Sequence, residues 1–135
     1  MDSSSKLSGG YPIQLHIPNL RLPSLANEWM DWRVLTGLKK KQRNATKRCM
    51  KDLAPLPLPL TVTIIRVGPS RLDGDNLQGA CKYVRDEIAR FVGTDDGSPL
   101  YRWYYTQIIG GYGVHIIFEQ GLCPAPSVFQ PSWSV

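Results

Sequence analysis

The sequence predicts an α+β fold: a small mixed β-sheet of about four strands with two main helices packed on one side of it, in the order β-α-β-α-β-β. Three observations carry this. Apolar and polar side chains alternate over residues 11–17 and again over 101–119, a β-branched run occupies 60–67, and two stretches of helical spacing lie between these segments. With 135 residues, no internal repeat and no second apolar core, the chain is expected to form one domain over residues 11–120, between a leader (1–10) and a tail (121–135).

Each element has a local cause. Residues 1–10 are rich in Ser and Gly, which bury too little surface to offset ordering, so they read as a flexible leader. Ile13, Leu15 and Ile17 then alternate with Gln14 and His16 as a short strand, and Pro18 and Pro23 mark the loop after it. A helix is expected from Ser24 as N-cap, with Leu25, Trp29, Trp32 and Leu35 near helical spacing and Gly37 as a kink point. It runs on into a cationic stretch in which Lys40, Arg43, Lys47 and Lys51 share a face. Pro55, Pro57 and Pro59 forbid helix and lead into the β-branched strand at 60–67, expected to be buried on at least one face.

The next helix is the most strongly patterned. Leu77, Ala80, Cys81, Val84, Ile88 and Phe91 form one continuous apolar face, Asp75 is the expected N-cap, and Gly93 ends the helix. Asp75, Gly79, Lys82 and Asp86 make a polar stripe along a different face. Beyond it, the alternating segments 101–109 and 113–119, joined through Gly110 and Gly111, read as an antiparallel hairpin. Residues 121–135 form a Pro- and Ser-bearing tail, with Phe129 and Trp133 as its docking side chains.

Composition narrows the class. Lys and Arg number 16 against 11 Asp and Glu, a formal charge of +5 that fits a polyanionic partner. No apolar run reaches the roughly 18 residues that span a bilayer, and the N-terminus lacks the layout of a signal peptide, so a cytoplasmic protein without a membrane partner is expected. Cys49, Cys81 and Cys123 are odd in number and far apart, which points away from a disulfide framework or a zinc site.

The candidate chemistry lies around the second helix. Asp73 and Asp75 flank Gly74 at a strand-to-helix turn, and Asp95 and Asp96 follow the helix by one loop. Singly, these residues are ordinary N-cap and turn signals. Together, crowded carboxylates call for a cation among them, and a hard divalent ion such as magnesium takes oxygen ligands. The two pairs would share one ion only if the helix packs back across the sheet. A calcium loop is excluded, because counting from Asp73 puts Leu77 at position 5 and Val84 at position 12. There is no Gly-x-Ser-x-Gly elbow and no glycine-rich nucleotide loop, and His16 and His115 lie in strands. Metal-assisted hydrolysis is what the inventory permits. The cationic stripe reads either as a solvated face or as a phosphate track, and Tyr101, Trp103 and Tyr105 read as core or dimer packing ahead of base stacking.

On the residues Asp73-x-Asp75-Asn76-Leu77, a lysine on the following helix and the pair Asp95-Asp96 before a strand, the sequence resembles the RusA family of Holliday-junction resolvases. A weaker likeness runs from Leu25-Ala-Asn27-Glu28 to Trp32-Arg33. The resemblance implies an endodeoxyribonuclease dependent on magnesium, with manganese as a substitute and no small-molecule cofactor. It would act as a homodimer that resolves four-way DNA junctions by paired symmetric nicks. Asp73, Asp75 and Asp96 would be metal ligands, with Asp95 holding the turn or joining the set. The family's helical lysine would fall at Gly79, so its role passes to Lys82, for which an ion pair with Asp86 is the competing role. Lys39, Lys40, Arg43, Lys47, Lys51 and Arg71 would grip DNA. Two other functions stay open: a non-catalytic branched-DNA-binding protein on the same scaffold, and a metal-dependent phosphodiesterase with a smaller substrate.

Overall fold

A computed structural model of the chain describes residues 11–25 and 31–126. The expectations for the leader, for Asn27, Glu28 and Trp29, and for Phe129 and Trp133 lie outside the described residues. The fold is α+β. Strand β1 (Ile13–Pro18) precedes helix α1 (Trp32–Met50), and β2 (Leu60–Gly68) precedes helices α2 (Gly74–Ala80) and α3 (Lys82–Val92). Strands β3 (Tyr101–Ile109) and β4 (Gly113–Gln120) complete a four-stranded sheet of order β1-β4-β2-β3.

The sheet is mixed. β4 lies antiparallel to both β1 and β2, whereas β2 and β3 are parallel, Leu60 facing Tyr101 and Gly68 facing Ile109. The expected hairpin of the last two strands is therefore corrected: β2 stands between them. The connection from Gly110 to Tyr112 crosses the end of β2, where the Gly110 N–H donates to Gly68 O at 2.9 Å. Turn residues dictate that the chain reverses, not which neighbour each strand acquires. The parallel β2–β3 pair needs a crossover, which α2 and α3 supply. A central strand has both faces covered, and β2 is buried at every position.

One core joins the helices to the sheet. Leu60, Val62 and Ile64 of β2 and Val114, Ile116 and Phe118 of β4 face it from the sheet, and Leu77, Ala80, Val84 and Ile88 from the helices. Val84 and Ile88 are fully buried, each worth about 1.5–3 kcal/mol in removed apolar surface. On the opposite face, Thr61 Oγ1 donates to Gly121 O at 2.7 Å and Tyr104 OH to Cys123 O at 2.8 Å. The start of the expected tail is thus tied to the sheet. No helix among the described residues is long and apolar enough to cross a membrane.

Helix boundaries differ from the local reading in three places. Helix α1 begins at Trp32, capped by Asp31, whose carboxylate accepts from the Arg33 N–H at 2.9 Å; the turn expected to follow Ser24 lies largely outside the described residues. Gly37 passes through α1 without interrupting it. The patterned helix divides at Cys81 into α2 and α3, and its N-cap is Asp73 in extended backbone, not Asp75, which sits in the first turn. Gly93 ends α3 as expected, at φ 90°, where a side chain would be strained.

Candidate functional site

Parallel pairing sets the turn after β2 beside the end of β3, and a half-buried glutamine and a buried arginine lock it there. Gln107 acts as a short piece of backbone: its Oε1 accepts from the Leu72 N–H at 2.9 Å, and its Nε2 donates to Leu72 O at 2.7 Å. Both peptide groups of the residue before Asp73 are therefore held. Arg66, the register partner of Gln107, donates to Ser70 O and Leu22 O at 2.7 Å each. Burial pulls the Arg66 pKa below its ordinary value. A Cβ on Gly68 would come within 3.0–3.2 Å of that guanidinium, so any side chain there would push the Arg66 head from its place by a few tenths of an ångström.

Asp73 and Asp75 project from this clamped turn and are exposed. The Asp73 carboxylate makes no capping bond, although its carbonyl accepts from the Leu77 N–H at 2.7 Å. Asp75 lines a cleft of about 360 Å³ with Asn76, Gly79, Lys82 and Tyr83. A Cβ at Gly79 would meet nothing within 4 Å, so the position where the family resemblance puts a lysine is open space.

Tyr83, in the first turn of α3, is the hub of a cationic cluster. Lys39 Nζ lies 5.4 Å from its ring centroid, Arg43 Cζ 5.7 Å and Lys82 Nζ 5.8 Å. Cations are attracted to an aromatic face, but three of them also repel one another, and an anion brought among them relieves that repulsion. Beside them runs a cleft of about 320 Å³ lined by Lys39, Lys40, Arg43, Lys47 and Arg90, with Glu87. Lys51, the C-cap of α1, and Arg71, in the turn after β2, are exposed. The competing partner for Lys82 is otherwise engaged: Asp86 pairs with Arg43 at 3.5 Å.

Asp95 and Asp96 are placed differently. The Asp96 carboxylate pairs with Arg85 Nε at 2.7 Å, and its backbone carbonyl accepts from Trp103 Nε1 at 2.9 Å. Burial opposes the charge on Arg85, but the Tyr105 hydroxyl at 2.7 Å and the charges of Asp96 and Asp86 more than offset it, raising its pKa. Burial, reinforced by Asp96 and Asp95, pushes the Tyr101 hydroxyl up to about 12. Asp95 closes its own turn by accepting from the Gly97 N–H at 3.1 Å. Asp86, Asp95 and Asp96 line one cleft of about 400 Å³ with Arg43 and Arg90.

The expected convergence of Asp96 on Asp73 and Asp75 is not met within one chain. Among the described residues no group of three or more His, Cys, Asp or Glu side chains is near enough to hold a metal ion. The reason is geometric. Asp96 shares its cleft with Asp86, on α3 beyond the break at Cys81, whereas Asp75 lines a different cleft at the start of α2. What remains is a two-carboxylate turn, and magnesium is commonly held by one or two carboxylates together with substrate phosphates. Asp73 and Asp75 fit that donor set.

Local reasoning passed over Arg66, Tyr83, Arg85 and Gln107. Arg66 and Gln107 did leave a signal: each is a polar residue in the inward phase of its strand, after Leu60, Val62 and Ile64 in one and Tyr101, Trp103 and Tyr105 in the other. Tyr101 and Trp103 pack against the core at a ring separation of 4.9 Å, with Tyr105 beside them. Compared with known proteins, the chain matches no protein-family model and no curated protein sequence.

Proposed function

We propose that this chain is a magnesium-dependent endonuclease for branched DNA, working as a symmetric pair on four-way junctions. The observation that supports it most is the pairing of two unlike features on neighbouring elements. A clamped turn presents two exposed carboxylates, and the adjoining helix face gathers Lys39, Arg43 and Lys82 around Tyr83. Acids beside a cationic track suit a phosphodiester, which needs a cation at the scissile phosphate and basic side chains along its flanks.

Within that reading each group has a task. Asp73 and Asp75 would hold the ion, and Gln107 and Arg66 keep their backbone from shifting. Magnesium, when bound, supplies positive charge against the phosphate and makes water a competent nucleophile. Lys82, next to Gly79, neutralises charge building on the phosphate oxygens. Lys39, Lys40, Arg43 and Lys47 grip the flanking backbone, a contact that weakens steeply with salt. Asp96 serves this protomer as the partner of Arg85.

A second reading is a junction-binding protein without catalysis, favoured by the engagement of Asp96 with Arg85 and by Gly79 at the lysine position. Purified protein incubated with a synthetic four-way junction and magnesium separates the two. Paired nicks are expected, and Asp75→Asn should slow them about 10²–10³-fold while junction binding persists. Tight binding with no nicks in any divalent metal would establish the non-catalytic protein instead. Nicks at an undiminished rate in Asp75→Asn would refute the site.

A further inference from the structure

Helix α1 has cations on two flanks, and only one of them adjoins the carboxylate turn. Its buried residues Gln42, Thr46 and Met50 face the core. At 100° per residue, Lys39, Arg43 and Lys47 fall to one side of that line and Lys41, Ala45 and Arg48 to the other. The second flank walls a separate groove of about 570 Å³ against the β1 edge, lined by His16, Asn19, Lys41, Asn44, Arg48 and Cys49. Among the described residues no acid lines this groove, in contrast to the clefts on the other flank, which hold Asp75, Asp86, Asp95, Asp96 and Glu87.

The groove continues past His16 and Asn19 into a smaller hollow of about 270 Å³ beside Tyr112. Tyr112 is 41 % exposed, Arg21 stands 4.9 Å from its ring centroid, and its carbonyl accepts from the Asn19 N–H at 3.0 Å. Two exposed cations, amide side chains and an accessible aromatic ring, with no carboxylate among them, suit a nucleic-acid strand better than a protein or a neutral small molecule. Lys41 and Arg48 stand two helical turns apart, about 10 Å, which is the axial span of about three phosphates along one strand.

We infer that this groove takes a second stretch of DNA backbone, so that α1 is a ridge with one duplex arm on each flank and a single chain grips two arms of a branch. The inference rests on the branched-DNA reading and deepens it, because it gives the protein a reason to prefer a junction to a linear duplex. Lys41 and Arg48 contact phosphates, Asn44 and Asn19 donate to backbone oxygens, and Tyr112 supports the strand where it leaves the groove.

The test compares wild type with the Lys41→Glu/Arg48→Glu double variant of the full chain, titrated against a four-way junction and a linear duplex of the same sequence over a range of salt. Junction affinity is expected to fall at least about tenfold and duplex affinity by less than about threefold. The slope of log affinity against log salt on the junction should drop by about two. Unchanged junction binding, or equal losses on both substrates, would overturn the second arm while leaving the nuclease reading intact. Wild-type protein that binds neither substrate overturns the branched-DNA reading and this inference with it. Cys49 provides a readout that needs no charge reversal. In a Cys123→Ser background, with Cys81 buried, the junction should slow alkylation of Cys49 at least about fivefold and the linear duplex should not; equal rates with and without junction would refute the groove.

Discussion

The two ends of the α2–α3 segment both carry aspartates, yet they are built on opposite principles. At the α2 end, backbone bonds from Gln107 and Arg66 do the holding, and the carboxylates of Asp73 and Asp75 are left to solvent. At the α3 end the carboxylates do the holding themselves: Asp86 takes Arg43, Asp96 takes Arg85, and Asp95 closes its own turn. An acid whose charge is already matched contributes to the fold, whereas one kept rigid but exposed is left able to meet an external cation, as the proposed function requires. The same residue type therefore stands in two different settings on one short helical segment, and the partners, not the acids, decide which.

This contrast makes a ranked set of stability predictions, beginning with the condition under which the ends must be compared. His115 is buried and stacked on His16 with ring centroids 4.2 Å apart. Burial, and then the charge of His16, lowers its pKa to about 4. Its unfolded pKa is near 6.5, so between that pH and about 4 the unfolded chain binds a proton that the native state refuses, and stability falls as pH drops. The loss across the window should approach about 3 kcal/mol, read from urea unfolding, and His115→Gln should flatten it. Both ends are best compared above pH 7, where this contribution is constant.

There, Asp96→Asn should cost about 1–2 kcal/mol, because Arg85 keeps its burial and loses its counter-charge. An unchanged unfolding midpoint would break the claim that the α3 end is structural. Gln107→Ala should cost about 1 kcal/mol for two lost backbone bonds. Its more telling effect is on junction cutting, where kcat should fall about tenfold with KM held, because Asp73 and Asp75 lose their fixed position while the DNA grip stays. Equal changes in kcat and KM would argue against a positioning role. Smallest of all, Asp75→Asn should change stability by less than about 0.5 kcal/mol, since it removes an exposed charge with no partner among the described residues. A large destabilisation there would make Asp75 a structural residue like Asp96.

Much of the fold was legible in the sequence because it follows from near neighbours. Alternation at Ile13, Leu15 and Ile17, the β-branched run of β2, the apolar face of Leu77, Val84 and Ile88, and Gly93 as a terminator all depend on contacts within a few residues. The division of the long helix at Cys81 and the Asp31 cap of α1 were less legible, since tertiary packing overrides weak capping preferences. For the candidate site, the acids and lysines were visible as residue types, but which of them stand unmatched was not. The clamp from Gln107 to Leu72 joins residues 35 positions apart.

By itself, then, the sequence determined the element types, the α+β class, the basic balance and the presence of aspartates at both ends of one helical segment. Periodicity and composition are local quantities, and they suffice for those. Only the tertiary structure decided that β2 separates β3 from β4, that Asp96 belongs to Arg85, and that α1 divides two grooves. Strand neighbours and ion pairs are choices among distant partners of nearly equal local merit, and the packing of the whole core selects one.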